Sequence, residues 1–258
     1  MRVGARVLVN GDVFDGIDFR DKRFDASVLL PELRGEKDLQ GAVVRLAAEY
    51  FEPYRRNVDV IGIGNHEEKW IGWNANDPVA RLIERLNAKN EKEKGEHRIR
   101  HGGICGYIRT RFQMDPTDPR GAKVNHDLLY HHGSGGDSPV TRGSIDFYRR
   151  ENQFIFDAVT MGHKHHRSFM DGCVIELSAR GHLNFRERKS IQTGSYYVNY
   201  RRTTQRRPLA YSYAESKAHS PKPHGGMFLR MRPMLTQQGE GKTRVRIRQV
   251  MQDVMTQP

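Results

Sequence analysis

The sequence has few cysteines and no long apolar run, and both absences narrow the class of protein. Its two cysteines, Cys105 and Cys173, lie far apart and outside any C-x-x-C or zinc-knuckle spacing. We therefore expect two reduced thiols rather than a disulfide. No apolar run approaches the roughly 20 residues that a membrane helix needs, and the N-terminal residues contain no apolar segment of the signal-peptide type. These absences predict a cytoplasmic protein that does not span a membrane.

Acidic residues are scarce in the last third of the chain. Residues 174–258 contain 16 Lys and Arg against 5 Asp and Glu, an excess of 11 positive charges out of a net charge of +12 for the 258 residues. The first two-thirds is therefore nearly neutral. A basic region of this kind favours a polyanionic partner, of which nucleic acid is the commonest. The alternative is a solvated basic face that only aids solubility.

The first 165 residues alternate between apolar strand patterns and helical patterns, which predicts an α/β fold with the sheet buried between helices. A hairpin is expected across Gly102-Gly103, and a solvated loop at residues 90–96. Beyond Met170 only short strands and turns are expected. Strands are expected at residues 6–10, 58–63, 127–130 and 156–161, and helices at residues 38–55, from Asp77-Pro78 onward and at residues 139–150.

Four short segments place metal-ligand side chains beside glycine, each directly after a predicted strand. Open α/β sheets bind ligands at the carboxyl ends of their strands. Asp, Asn and His side chains suit Mn²⁺, Fe, Zn²⁺ or Mg²⁺. A carboxylate can bridge two such ions about 3.5–4 Å apart, and the pair can clamp an in-line displacement at phosphorus. The segments are residues 11–15 (Gly-Asp-Val-Phe-Asp), 64–67 (Gly-Asn-His-Glu), 132–133 (His-Gly) and 162–165 (Gly-His-Lys-His).

In this order the segments resemble the calcineurin-like metallophosphoesterases of the phage and bacterial type, whose pattern runs D-x-H, G-D-x-x-D, G-N-H-D/E, H-G, G-H-x-H. The resemblance implies a metallophosphoesterase-like sandwich of two mixed β-sheets flanked by helices. Residues 1–170 would form the core that carries the metal site. Residues 171–258 would form a basic, strand-rich part that completes the second sheet. The implied activity is metal-dependent hydrolysis of phosphoesters.

The resemblance also assigns roles to single residues. Asp12 would bridge two divalent ions, with His165 on the first metal and the remaining ligands on the second. His66 would act as a general acid beside the leaving group, and Asp15 would orient its neighbours. His131 competes with His132, which is preferred because it precedes glycine as in the family. The metal ligands would be Asp12, Asn65, His132, His163 and His165. The ions are expected to be Mn²⁺, with Fe, Zn²⁺, Mg²⁺ or Ni²⁺ as alternatives.

The basic last third suggests the substrate. Tyrosines there alternate with arginines, a pattern that can stack bases and pair with phosphates, although the tyrosines could instead cover the sheet while the arginines are solvated. We predict a nuclease-like phosphodiesterase. The alternatives are a phosphomonoesterase acting on phosphoprotein or nucleotide, and an inactive homologue that binds nucleic acid. The candidate substrate contacts are Arg201, Arg202, Arg206, Arg207 and His166, and His166 is alternatively a bystander.

The first segment of the family pattern, D-x-H, is missing, so the expected fold lacks its first strand. In the family this segment gives two ligands to the first metal, which would here keep only Asp12 and His165. Three explanations fit: the natural chain begins further upstream, one tightly bound metal suffices, or the chain has lost activity. Asp18 or Asp21 could substitute as a ligand, but nothing in the spacing favours either.

Overall fold

The computed structural model describes residues 4–17, 20–22, 24, 26, 29–93, 97–115, 117–118, 120–136, 140–141, 143–179, 181–196, 215, 220–238 and 245–256, with the backbone alone at 236–238 and 245–248. They belong to an α/β protein with four helices and ten strands in this described part. They form two compact units, residues 4–105 and residues 106–196 with 220–256. The predicted division at residue 170 into a metal-site core and a basic part stays a prediction.

The first unit is built on a three-stranded parallel sheet. Its strands are β1 (Val7–Val9), β2 (Val58–Ile61) and β3 (Arg100–His101), in the order β1-β2-β3. β2 is the central strand, and its apolar side chains are buried because it is covered on both sides. Beyond β2, Gly62 donates its N–H to the carbonyl of Val9 over 2.8 Å, which continues the pairing towards the segments that carry the predicted ligands.

Three helices accompany this sheet: α1 (Leu39–Phe51), α2 (Asn65–Asn74) and α3 (Pro78–Lys92). Two begin at aspartate caps, because the carboxylate of Asp38 accepts the N–H of Gly41 and that of Asp77 accepts the N–H groups of Val79 and Ala80. The helices bury one apolar core, whose members are Phe14, Val44, Val58, Ile61, Trp70, Val79, Leu82, Ile83, Leu86 and Ile99.

The second unit is built on a five-stranded mixed sheet. Its strands are β4 (Cys105–Gln113), β5 (Lys123–His131), β6 (Ala158–Met161), β7 (Ser168–Leu177) and β8 (Leu183–Gln192), in the order β4-β5-β6-β8-β7. The central strands β5, β6 and β8 run parallel, and β7 pairs antiparallel with β8. Helix α4 (Ser144–Gln153) connects β5 to β6, as a parallel crossover requires.

A long hairpin of β9 (Met227–Gln238) and β10 (Val245–Thr256) packs on this sheet. Its contact includes a buried polar pair, in which Nε2 of His126 lies 3.0 Å from the side-chain oxygen of Gln252. The amide of Gln252 donates in turn to the carbonyl of Asp157 over 3.2 Å. The apolar core of this unit consists of Leu129, Phe147, Phe156, Val159 and Met161.

Five features differ from the prediction, the first of which is that the strands beyond Met170 are long, with 10–12 residues in β8, β9 and β10. The hairpin across Gly102-Gly103 was wrong, because β3 pairs with β2 whereas β4 belongs to the five-stranded sheet. The loop predicted at residues 90–96 begins too early, since α3 continues to Lys92. The helix predicted at residues 139–150 is α4, which begins later and ends at Gln153. Helix α2 was not predicted at all.

Two further predictions concern the thiols and the membrane. Cys105 and Cys173 are both free and exposed, in agreement with the prediction of reduced thiols. Within the described residues, no helix combines the length and the apolar character needed to cross a membrane.

Candidate functional site

Two of the predicted segments meet at one edge of the first unit's sheet. Asp12 follows β1 and Asn65-His66 follows β2, and because these strands are parallel their carboxyl ends lie side by side. The backbone N–H of His66 donates to the Asp12 carboxylate over 3.2 Å. Asn65 is the first residue of α2, so the segment that follows β2 turns directly into a helix. The structure therefore brings Asp12, Asn65 and His66 together.

Glu67 fastens these two segments to each other. Its side chain is fully buried. One carboxylate oxygen accepts the N–H groups of Asp12 (3.0 Å) and Gly64 (2.8 Å), and the other accepts that of Phe14 (2.9 Å). Burial raises the pKa of Glu67, and the bonds from Phe14 and Gly64 oppose that rise. No role was predicted for Glu67. The available signal was its position three residues after Gly64, which is the spacing of a capping box.

His66 and Asp15 form a pair beside Asp12. Nδ1 of His66 lies 3.2 Å from the carboxylate of Asp15 and also contacts the Asp15 carbonyl. The side-chain hydrogen bond to Asp15 is the main reason that the pKa of His66 rises to about 9, although burial acts in the opposite direction. At neutral pH the imidazole therefore carries a proton that it can donate. Asp15 therefore contacts His66, the residue to which the family resemblance assigns the role of general acid.

The other two segments meet in the second unit. His132 follows β5 and His163 follows β6, which is parallel to β5. The ring centroids are 5.4 Å apart with an edge-to-face arrangement, and a nitrogen of each ring lies within 4.8 Å of the other. The N–H of Gly162 donates to the carbonyl of His132 over 2.9 Å. Both histidines are candidate metal ligands, as is Asp12 in the first unit. His165, which was also predicted to be a metal ligand, is not part of this close pair of rings.

The surroundings of His163 fix its ring. Nε2 lies 3.1 Å from the carbonyl of Gly135, and an Nε2–H that donates there sets the orientation of the ring. Gly133 makes room for this arrangement. Its φ is +106°, and a Cβ at that position would lie 3.0 Å from the Cβ of His163 and 3.1 Å from the carbonyl oxygen of Gly162. Only glycine fits there without displacing His163.

His131, the alternative to His132, has a different environment. Its Nδ1 accepts the N–H of Gly133 over 2.8 Å, and its Nε2 lies 3.4 Å from the guanidinium of Arg150. Burial lowers the pKa of His131, and Arg150 adds to that effect. A neutral His131 with Nδ1 engaged by the backbone holds the turn that carries His132. His132 itself is 2% exposed.

Three of the predicted metal ligands have strained backbones. Asp12, His163 and His165 have φ angles of 52°, 67° and 58°, in the left-handed region that non-glycine residues seldom adopt. Among the described non-glycine residues, the only other positive φ belongs to Ala75, which ends α2. Such strain costs about 1 kcal/mol or more per residue and persists where surrounding structure enforces it, which is often at functional sites.

The predicted substrate contacts are only partly described. Arg201, Arg202, Arg206 and Arg207 lie outside the described residues. His166 is half-buried, and its Nε2 lies 2.9 Å from the Nζ of Lys222. Residues 220–226 were expected to form a loop that could reach the site, but the contact of Lys222 with His166 was not predicted, because 56 residues separate the two and no local pattern links them.

Comparison with known proteins adds no relative to these observations. The chain matches no protein-family model, no curated protein and no solved structure. The candidate residues are therefore characterised by their own geometry within each unit. In the first unit a carboxylate and an imidazole follow the parallel strands β1 and β2, and in the second unit two imidazoles follow the parallel strands β5 and β6. Asp12, His163 and His165 have left-handed backbones.

Proposed function

We propose that this protein is a metal-dependent phosphoesterase that hydrolyses phosphodiester bonds, with nucleic acid as its substrate. The fold would be a metallophosphoesterase-like sandwich, as the four sequence segments imply. The observation that carries the proposal is the left-handed backbone of Asp12, His163 and His165. The family resemblance assigns these three residues as metal ligands. Backbone strain of this kind is concentrated at active sites and ligand sites.

The donor set fits a divalent ion of intermediate hardness such as Mn²⁺. Asp12 supplies carboxylate oxygen and His163 supplies imidazole nitrogen, and the contact with the carbonyl of Gly135 orients the His163 ring. The proposed ligands are Asp12, Asn65, His132, His163 and His165. When bound, such ions polarise the phosphate and lower the pKa of a coordinated water.

The chain's own residues perform the remaining steps. Protonated His66 donates a proton to the leaving-group oxygen, which avoids the departure of an unstable alkoxide. Asp15 keeps the ring in place and keeps it protonated. Glu67 positions the carboxylate of Asp12 by holding the backbone N–H of that residue. Nucleic acid is the proposed substrate because residues 174–258 carry nearly all the excess positive charge.

The experiment is Mn²⁺-dependent hydrolysis of bis-p-nitrophenyl phosphate by the 258-residue chain. We expect Asp12→Asn to lower kcat/KM at least 100-fold, because a neutral amide is a poor bridging ligand. Asp171→Asn is the matched control, since Asp171 is exposed and pairs only with Lys189 among the described residues, and it should retain wild-type activity.

Two other results would change the assignment. Faster hydrolysis of p-nitrophenyl phosphate than of the diester would indicate a phosphomonoesterase. Wild-type turnover no higher than that of Asp12→Asn would indicate an inactive homologue, and DNA binding that weakens with salt would then identify it as a binding protein. Mn²⁺ titration of His132→Ala and His163→Ala measures the metal site separately from turnover, and both variants should bind the ion more weakly.

A further inference from the structure

One segment of the second unit is fastened beside the loop that carries His163 and His165. This segment, residues 220–226, is called the strap. Ser195 and His224 form a parallel β-bridge, and the N–H of Gly225 donates to the carbonyl of Ser195 over 3.0 Å. The guanidinium of Arg167 donates to the carbonyl of His224 over 3.1 Å. The strap is thereby tied both to the end of β8 and to the histidine loop.

The backbone of Gly194 lies directly against the strap. A Cβ at Gly194 would lie 2.6 Å from the carbonyl oxygen of Pro223 and 2.7 Å from that of Gly225, closer than real Cβ contacts. Any larger residue at this position would push the strap away. The location of the strap is therefore fixed by close packing as well as by hydrogen bonds.

This attachment brings three cationic or donor side chains together. Lys222 of the strap contacts Nε2 of His166 over 2.9 Å. His166 and Arg167 directly follow His165 in the chain, and Lys222 joins them through its contact with His166 and through the bond from Arg167 to His224, two residues further along the strap. The three side chains are half-buried. Lys222 brings an ammonium group and Arg167 a guanidinium fork of N–H groups, and both are donors that suit phosphate oxygens.

An aromatic ring lies beside the strap. Tyr196 follows Ser195 directly and is 76% exposed. Its hydroxyl would lie 3.3 Å from a Cβ added to Gly226, so the tyrosine and the end of the strap are neighbours. An exposed aromatic ring beside a segment that carries cationic groups is typical of sites that stack a base and hold its phosphate. A phosphoserine or phosphothreonine side chain would have no ring to place there.

We infer that Lys222, His166 and Arg167 form a subsite for a backbone phosphate of nucleic acid, next to the scissile phosphodiester, and that Tyr196 stacks the attached base. The position relative to the scissile bond rests on the proposed function. The subsite would give the enzyme a preference for polynucleotides over simple phosphodiesters. Binding of nucleic acid at this subsite needs no metal and no turnover.

The test is fluorescence anisotropy of a ten-nucleotide single-stranded DNA, titrated with the full chain in EDTA. Lys222→Met should raise Kd about tenfold at low salt, since a charge-assisted contact is lost. It should also reduce the slope of log K against log[salt] by about 0.7, the value for one single-strand phosphate contact. Lys123→Met is the matched control, because Lys123 is an exposed lysine on β5 of the same unit. It should change Kd less than twofold.

Additional variants separate specific contacts from damage to the fold. Lys222→Arg should restore binding, and Gly194→Ala should weaken it with every cation still present. Tyr196→Phe should bind like the wild type and Tyr196→Leu should bind more weakly. Equal binding by Lys222→Met and Lys123→Met would overturn the inference. Lys222-dependent binding of a phosphoserine peptide in place of the oligonucleotide would overturn the assignment to nucleic acid.

A kinetic measurement distinguishes this inference from the proposed function. Lys222→Met should raise KM for Mn²⁺-dependent oligonucleotide hydrolysis by a larger factor than KM for bis-p-nitrophenyl phosphate, because that diester has no neighbouring phosphate, whereas Lys123→Met should change neither. Absence of all turnover by the wild type would refute the proposed function, while the EDTA titration would still decide whether the subsite exists.

Discussion

Replacement of Glu67 by glutamine tests how the first unit holds Asp12 in its strained conformation. One carboxylate oxygen accepts two N–H groups, those of Asp12 and Gly64, and the other accepts that of Phe14. The glutamine amide has only one oxygen, and that oxygen accepts the most hydrogen bonds when it faces the N–H groups of Asp12 and Gly64. Its NH₂ group then faces the N–H of Phe14, and that buried donor loses its acceptor.

The expected size follows from these contacts. A buried donor left without an acceptor costs about 1–3 kcal/mol, and hydrogen bonds to a neutral oxygen are weaker than those to a carboxylate. Relief from burying a charge, which raises the pKa of Glu67, acts in the opposite direction. We therefore expect Glu67→Gln to lower the free energy of unfolding by about 2 kcal/mol.

The assay is urea unfolding followed by tryptophan fluorescence. Both tryptophans of the chain, Trp70 and Trp73, lie on α2, so the signal reports on the first unit. Trp70 is 5% exposed and packs against Phe14, with ring centroids 5.9 Å apart. Glu68→Gln is the control, since Glu68 is exposed, and it should change stability by less than about 0.5 kcal/mol. If Glu67→Gln and Glu68→Gln unfold at the same urea concentration, the reasoning about the carboxylate is refuted.

Three further predictions test single contacts. Gly133→Ala should weaken Mn²⁺ binding at least tenfold in a titration, because the new Cβ meets His163; unchanged affinity would show that the turn relaxes without cost. Asp38→Ala should lower the urea stability of the first unit by about 1 kcal/mol through loss of the α1 cap, and an unchanged midpoint would contradict this. Arg109 lowers the pKa of Asp127 below 3.8, so their pairing stabilises the fold above that pH and is lost as the pH falls further. Acid unfolding of Arg109→Met should therefore differ from wild type at pH 6 and converge with it below pH 3.8, whereas a constant gap would exclude this linkage.

Sequence patterns were sufficient where a local rule decides the structure. Asp77 caps α3, where Asp77-Pro78 had predicted a helix start, and Asp38 caps α1 at the first residue of the predicted helix. Such starts can be predicted because a cap depends only on the residues of the first turn. The placement of the four segments after strands was also predictable, since an apolar run followed by glycine marks a strand end without knowledge of its partners. Helix α2 was missed because its sequence lacks a clear apolar stripe, and only Trp70 and Glu67 are buried along it.

Patterns failed where the partner of a segment lies far away in the chain. Arg100–His101 and Cys105–Gln113 look like the arms of a hairpin, yet they join different sheets. The lysine of the strap contacts a histidine 56 residues earlier. Neither the strand pairing nor the side-chain contact can be recognised from the local sequence, because both are decided by the packing of the whole unit.

By itself the sequence determined the α/β class, the strand ends after which the candidate ligand side chains lie, and the identity of those side chains. Only the tertiary structure decided that Asp12, His163 and His165 adopt left-handed backbones, that Glu67 fastens two segments, and that Lys222 reaches His166. The physical reason is that periodicity and capping act over a few residues, whereas strain and cation placement depend on groups that meet only after the chain has packed.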